Sequence, residues 1–579
     1  MKKLIYSLAF ILIVQSALKL NDCKCQGIPV ISDLTYDSIA QTGVTIYWTT
    51  DLQADSKIRW MAPDSNYQPL IFTDSIYISA TVTKHVVPIN NLNPATIYKY
   101  QVISQNTGGP AIDSGYFVTQ SASSGEVEVF FNHSVDTTVS TGEKANGSQD
   151  FETLLDNQID SASHSIDITL WELANITSVS NALIRAKNRG VKIRFVYNNQ
   201  ASNTALIDSL LAHKIPIMKR NFDTIHSMHN KFWIFDYRYN TNTNRKYLWT
   251  GSTNVSHAQF HSDRNNVIIV QDESLCAVYT REFEEMWGSH TDLPDASRAK
   301  FGSEKVNNVP HILNVAGTRM EVYFSPSDSI ASFLSNLIMT KTTKSLFFCM
   351  FKFTLPAIEN ALHSVFNEGK QISGVFDSSN SVVPNSAYPR MKGIADTNAW
   401  NPHADVFIDT IAGLLHHKYF IIDANLSTGN KITITGSFNW EIPANLENDE
   451  NELIIYNARV NNLYFQEFCK RYRESGGELI GFGIGNINTE APSGFSLSQN
   501  YPNPFNTTTN IKFYVGETSH IKILVYDIMG DEIQTLVNKT LKPGTYESSF
   551  DGSSLTNGVY FYKMSAGDYS ETKIMMLKE

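Results

Sequence analysis

Two stretches of this 579-residue chain carry the same set of reactive side chains. The first is His229-Asn230-Lys231-Phe232-Trp233-Ile234-Phe235-Asp236, followed by Gly251-Ser252-Thr253-Asn254. The second is His416-His417-Lys418-Tyr419-Phe420-Ile421-Ile422-Asp423, followed by Gly436-Ser437-Phe438-Asn439. Both read His-x-Lys, four residues, Asp, then Gly-Ser-x-Asn, with the glycine 22 and 20 residues after the histidine. A lone His-x-Lys is uninformative; two copies with the same companions are not. These residue types suit attack on a phosphodiester. One imidazole can attack phosphorus and form a covalent intermediate. A second, protonated imidazole can give its proton to the leaving alkoxide. The ammonium groups of Lys231 and Lys418 and the amides of Asn254 and Asn439 can surround the charged oxygens. Ser252 and Ser437 can orient those oxygens or the neighbouring backbone amides. One copy supplies half of this set, so both copies are needed to close one site about a pseudo-two-fold axis.

The surrounding pattern explains how both copies are positioned. Each lysine runs into apolar residues, which predicts a buried strand with His and Lys on one face. Asp236 and Asp423 fall at the far end of that strand, which points to a structural role. The polar run 237–246 reads as a hairpin connection. Upstream, strands are expected over 127–131, 165–171 and 191–197, and helices over 151–161 and 179–189, the second capped by Gly190. The second half answers in the same order with 322–324, 345–351, 361–369 and 372–376. This is a duplication of domain length. Phe348, Met350 and Phe351 read as buried strand, Trp440 as core, and His417 as a satisfied core histidine.

The doubled motif resembles the phospholipase D superfamily, over about residues 126–480. The resemblance implies a central α/β fold, a duplicated mixed β-sheet flanked by helices, divided into repeats 126–300 and 318–480. It implies a metal-independent, cofactor-free, two-step phosphohistidine mechanism. His229, Lys231 and Asn254 would pair with His416, Lys418 and Asn439, with His229 the nucleophile and His416 the general acid. Some members carry an acid after Gly-Ser-x-Asn that bonds the histidine of its own repeat. In the second repeat Glu450 fits. In the first, Arg264 stands in the matching place and Asp263 substitutes after a one-residue shift. Without that substitution the two histidines differ electrostatically, and His416 is the better supported cation.

The flanks are of other kinds. Residues 1–24 have a basic start and an apolar run too short to span a membrane, as in a secretory signal. Residues 27–119 read as a β-sandwich; Trp48 and the run from Leu92 to Tyr100 resemble fibronectin type III domains, with Trp48 and Tyr98 in the core. Residues 121–125 form a small-residue linker. Residues 478–493 form a second one. Residues 494–579 read as another β-sandwich. Asn500-Tyr501-Pro502-Asn503-Pro504-Phe505 and Asn557-Gly558-Val559-Tyr560 resemble the sorting domain of the type IX secretion system, implying that machinery as a partner and an exported or cell-surface protein; the chain is multidomain, and a monomer is expected because both motif copies lie in one chain. Cys23 and Cys25 adjoin the cleavage region, and Cys276, Cys349 and Cys469 read as buried thiols.

The favoured activity is hydrolysis of phospholipid headgroups to phosphatidic acid. A net charge of −11 argues against nucleic acid. The alternative is an extracellular nuclease using a basic patch of Arg189, Lys192, Arg194, Arg238, Arg245, Lys246 and Arg264. A non-catalytic surface-binding protein ranks last.

Overall fold

The computed structural model describes residues 27–62, 71–198, 204–220, 226–395, 397–424, 429–478, 484–488, 493–506, 508–552 and 555–578. The signal segment 1–24, with Cys23, and Cys25 after it lie outside these residues, as does most of the second linker.

The duplication is visible strand by strand. The first repeat builds a seven-stranded mixed sheet in the order Ile217–Arg220, Lys192–Asn198, Ser165–Leu170, Phe232–Phe235, Tyr247–Gly251, Asn266–Gln271, Val127–Phe131. The second runs Asp405–Ile408, Gln371–Phe376, Ser345–Met350, Lys418–Ile422, Ile432–Gly436, Glu450–Tyr456, Thr318–Ser325, and adds an edge strand, Ile312–Val315. In both, the strand carrying the motif is antiparallel to its two neighbours. Every residue of Phe232–Phe235 and of Lys418–Ile422 is buried. Such buried runs, apolar after Lys418, need cover on both faces. The outer faces pack against Phe151–Ser161, Thr177–Asn188 and Thr204–Ala212 in one repeat, and Ile330–Lys341 and Pro356–Asn367 in the other. The inner faces share one core, filled by Glu273–Trp287 and Ala458–Glu474. Cys276, Cys349 and Cys469 are free and buried there.

The N-terminal module has five strands, two of them long and bent: Gly43–Met61 and Asp74–Asn90. The first half of Gly43–Met61 pairs with Ile31–Asp37 and the second half with Ile97–Asn106. Both halves contribute to one core around Trp48, whose indole N–H donates to Ser104 Oγ at 2.8 Å. The Tyr98 hydroxyl accepts from Asn93 N at 2.9 Å, a side-chain lock on the corner upstream of its strand.

The first linker is not free chain. Ser121 Oγ donates to Asp272 Oδ2 at 2.6 Å, and Ser124 Oγ to Gln271 Oε1 at 2.6 Å. Ser123 Oγ donates to Thr243 O at 3.1 Å. Tyr36 adds two bonds to the backbone of Ile312.

The C-terminal module is two four-stranded sheets around one core. Ile484–Asn488, within the expected linker, instead pairs with Gly544–Asp551 as an edge strand. Asn500 and Phe505 are buried; Asn500 donates from Nδ2 to Thr509 Oγ1 at 3.0 Å. No described helix is long and apolar enough to cross a membrane.

Candidate active site

Each histidine lies just ahead of its strand, in a segment that pairs with the opposite repeat. Met228 bridges Asp449, and Leu415 bridges Arg264. His229 N donates to Asp449 O at 2.9 Å, and His416 N to Arg264 O at 3.0 Å. The Asn-Thr links are reciprocal too. Asn451 Nδ2 donates to Thr250 Oγ1, and Thr435 Oγ1 donates to Asn266 Oδ1, both at 2.8 Å. The strands thus deliver His229, Lys231, His416 and Lys418 to one place, where the charges act on one another: both lysines and His229 depress the His416 pKa.

The rings are held by different partners. His229 Nδ1 lies 2.7 Å from Glu450 Oε2. A carboxylate only accepts, so Nδ1 carries the proton and Nε2 is left for chemistry. The Ser437 hydroxyl donates to the same oxygen at 2.6 Å. His416 Nδ1 lies 3.0 Å from Asn265 Oδ1 and 3.1 Å from Ser252 O. Asn265 Nδ2 donates to Gln259 O at 2.9 Å, which turns its oxygen towards the ring.

This corrects three expectations. Glu450 supports the histidine of the other repeat, not His416, because the repeats exchange their histidine segments. Asn265, not Arg264, occupies the place of Glu450; both lie 13 residues after their motif serine. Asp263 does not substitute, since it accepts from Leu414 N at 2.9 Å and Gln259 Nε2 at 2.7 Å. Ser252 and Ser437 also act behind the rings. Their hydroxyls bond Asn265 and Glu450 and accept from Asn266 N and Asn451 N at 3.0 Å.

Lys231 and Lys418 each donate to the carbonyl of their own motif histidine, at 2.9 and 2.7 Å. Burial pushes Lys231 down to about 7, against the pull of Glu450 and Glu172. Burial, then Lys231, holds Lys418 well below the usual lysine range. Burial lowers His229 less, because Glu450 opposes it, while His416 is driven well down by burial and then by Lys418 and Lys231. Asn254 and Asn439 are buried, and the Oδ1 of each has no partner among the described residues. The site concentrates buried cations, an arrangement that an anion relieves.

Asp236 and Asp423 lie outside it. Asp236 Oδ1 accepts from His164 N at 2.7 Å and Asp423 Oδ1 from Lys344 N at 2.8 Å. Both tie the strand end to the next strand. His417 bonds Glu467 Oε1 at 3.0 Å, and Trp440 is in the core.

Several residues near the rings escaped the sequence reading. The strands expected to include Trp171 and Phe351 end one residue earlier. Trp171 stands edge-on to His229, with centroids 5.8 Å apart, and Phe351 lies 4.7 Å from the His416 ring. Lys418 Nζ sits 4.6 Å over Phe351. Next to these rings, Lys352 pairs with Glu441 at 2.5 Å, while burial raises Glu172. The signal was available: both aromatics follow equivalent strands directly.

Most of the expected basic patch is engaged elsewhere, with Lys192 and Arg245 left at the surface. Arg194 is buried against Asp167 at 2.7 Å, Arg238 bonds Asp167 and Asp292, Lys246 pairs with Glu273, and Arg189 pairs with Asp160. Arg264 donates to Ser262 O and Ala412 O.

Residues 155–287 and 336–472 each match the family described as "Cardiolipin synthase, PLD-like domain", and 499–578 match "Secretion system C-terminal sorting domain". A mitochondrial cardiolipin hydrolase of Xenopus tropicalis is 26% identical over 140 residues, 24% of this chain and 59% of that protein. The chain thus spans less than two thirds of the length of that relative. A phospholipase D of Rickettsia bellii is 25% identical over 166 residues, 29% of this chain and 75% of that protein. Among solved structures, a phospholipase D family member from Salmonella typhimurium aligns with a TM-score of 0.23 at 24% identity, covering 27% of this chain and 94% of that one.

Proposed function

We propose, for a chain that carries two phospholipase D-like domains ahead of a secretion-system sorting domain, that it is an exported phosphodiesterase acting on phospholipid headgroups. The observation that carries this is the cross-repeat pairing of two histidines, each with Nδ1 bonded to an acceptor and Nε2 left over. His229 is the nucleophile. Glu450 raises its basicity and stabilises positive charge that develops on the ring. Attack by Nε2 on phosphorus forms a nitrogen–phosphorus bond as the headgroup oxygen departs. His416 donates the proton that this oxygen needs. Burial and the two lysines hold the His416 pKa well below the usual histidine range. A bound phosphodiester anion supplies the missing negative charge and lets the ring take up a proton. His416 then removes a proton from water, which attacks phosphorus and releases phosphatidic acid and His229. Lys231, Lys418 and the two amides offset the charge on the non-bridging oxygens.

Phospholipid is favoured over nucleic acid because Arg194 and Arg238, which a polyanion groove would need, are spent in ion pairs. The names of the relatives make cardiolipin and common phosphatidyl esters the first substrates to try. The test is phosphatidic acid release from phosphatidylcholine and from cardiolipin vesicles by the full chain, in chelator. Release that vanishes in His229→Ala supports the reading. No release from either vesicle, with cleavage of DNA or RNA, would replace it by the nuclease reading.

A further inference from the structure

The backbone of His229 is held by a residue that the motifs do not single out. Asp449 is buried; its carbonyl accepts from His229 N and its N–H donates to Ser227 O, both at 2.9 Å. The next residue, Glu450, holds the ring of the same histidine. The Asp449 carboxylate is itself gripped from three directions. Arg220 Nη1 and Gly302 N donate to it at 2.7 Å, and Lys305 Nζ lies at 3.4 Å. Lys305 also pairs with Glu282, which lies 3.5 Å from Nδ2 of Asn230, the residue between His229 and Lys231. The cluster therefore reaches the His-x-Lys tripeptide at two points. It draws on both repeats and on the connector between them.

Two further features fit a clamp. Gly302 has φ +56°, and a Cβ there would lie 2.9 Å from Arg220 Nη2 and 3.0 Å from Glu447 O. A side chain at that position would push the clamp open. The equivalent place in the other half is Arg264, which holds His416 N through its carbonyl but turns its guanidinium to loop carbonyls. The fold thus does not require an acid here. Buried ion pairs are poor sources of stability, because desolvation offsets their attraction.

We propose that Asp449 is a positioning residue for His229, clamped by Arg220, Lys305 and Gly302 so that it fixes the backbone of the nucleophile and, through Glu450, its ring. The proposal rests on His229 being the nucleophile. The test uses the full chain with Asp449→Asn, Arg220→Gln and Arg220→Lys. Asp449→Asn is expected to lower kcat on the order of 10²-fold, the scale of a misplaced reacting group. KM should stay within about threefold, because no substrate contact is lost. Arg220→Gln should fall in the same direction, and Arg220→Lys, which keeps the cation, should recover most of the loss. A second readout needs no turnover: the hydrogen-bonded ring N–H proton of His229 in histidine-labelled protein, assigned by its loss in His229→Gln. It should shift or broaden in Asp449→Asn and persist in Arg220→Lys. If the wild type cleaves no phosphodiester, this resonance still tests the clamp. If Asp449→Asn does not fold, Arg220→Gln carries the test. Unchanged kcat and an unchanged resonance in the folded variants would overturn the proposal.

Discussion

The two halves agree strand for strand, yet they treat their histidines differently. Behind His229 stand two carboxylates, Glu450 on the ring and Asp449 on the backbone. Behind His416 stand a neutral amide, Asn265, and an arginine, Arg264. The aromatic neighbours differ as well, Trp171 edge-on to one ring and Phe351 closer to the other. Duplication supplies the shared geometry, and a pair of adjacent positions sets the charge. A symmetric scaffold can then hold a base and an acid, which a symmetric pair of identical rings cannot do alone.

The sharpest way to break this comparison is to remove each ring in turn. His229→Ala should cost on the order of 10⁴-fold or more in kcat on any ester, because the proposed mechanism then has no nucleophile. His416→Ala should cost on the order of 10²–10⁴-fold on a phospholipid. It should cost much less in the first, burst step with a nitrophenyl ester, whose leaving group needs no proton. Equal loss in that step would mean that the roles are not divided this way.

Changes behind the rings come next. Glu450→Gln should lower kcat on the order of 10²-fold, since the ring loses its ionic partner. Asn265→Asp should move the alkaline limb of the rate profile upward, because a carboxylate there stabilises the charged forms of His416 and of Lys231, which acts on it. An unmoved limb would show that another group sets it.

The wild-type profile has a definite sign. His229 must be neutral, and its pKa is lowered from 6.5, so kcat/KM should fall as pH drops through a value below 6.5. Lys231 must be charged, and burial has pushed it down to about 7, so kcat/KM should also fall as pH rises through about 7. These limbs belong to the coupled site as a whole. A pH series of initial rates checks both, and a plateau extending well above pH 8 would contradict the alkaline assignment.

The smallest effect is expected where the halves are most alike. Asp236→Ala and Asp423→Ala each strip acceptors from several backbone N–H groups. Each should cost about 1–3 kcal/mol of stability by thermal or denaturant unfolding. The kcat of the folded fraction should change little, because neither carboxylate reaches the rings.

Much of this was legible from residue order. Periodicity located Phe151–Ser161, and the two His-x-Lys strands announced themselves by apolar runs. The pairing of acid and ring was not legible, because Glu450 and His229 are 221 residues apart and meet only when the repeats interlock. Periodicity describes a strand and its faces; it carries nothing about which repeat closes over which. The Arg264 assignment failed for a simpler reason. Counting from the motif serine gives Asn265, and the serine is the right origin because its hydroxyl bonds that side chain. Periodicity carries the strand on to Phe351, because an apolar run has no visible end when an aromatic residue follows it.

The serine staple at residues 121–124 has a mechanical consequence. A slack tether lets a module search a volume around its partner, at an effective concentration set by tether length. Here the tether is bonded down to Asp272, Gln271 and Thr243, and Tyr36 adds a second anchor. Residues 27–119 are therefore held at one bearing and one range from His229 and His416. The module is a braced outrigger of the two repeats rather than a body on a leash.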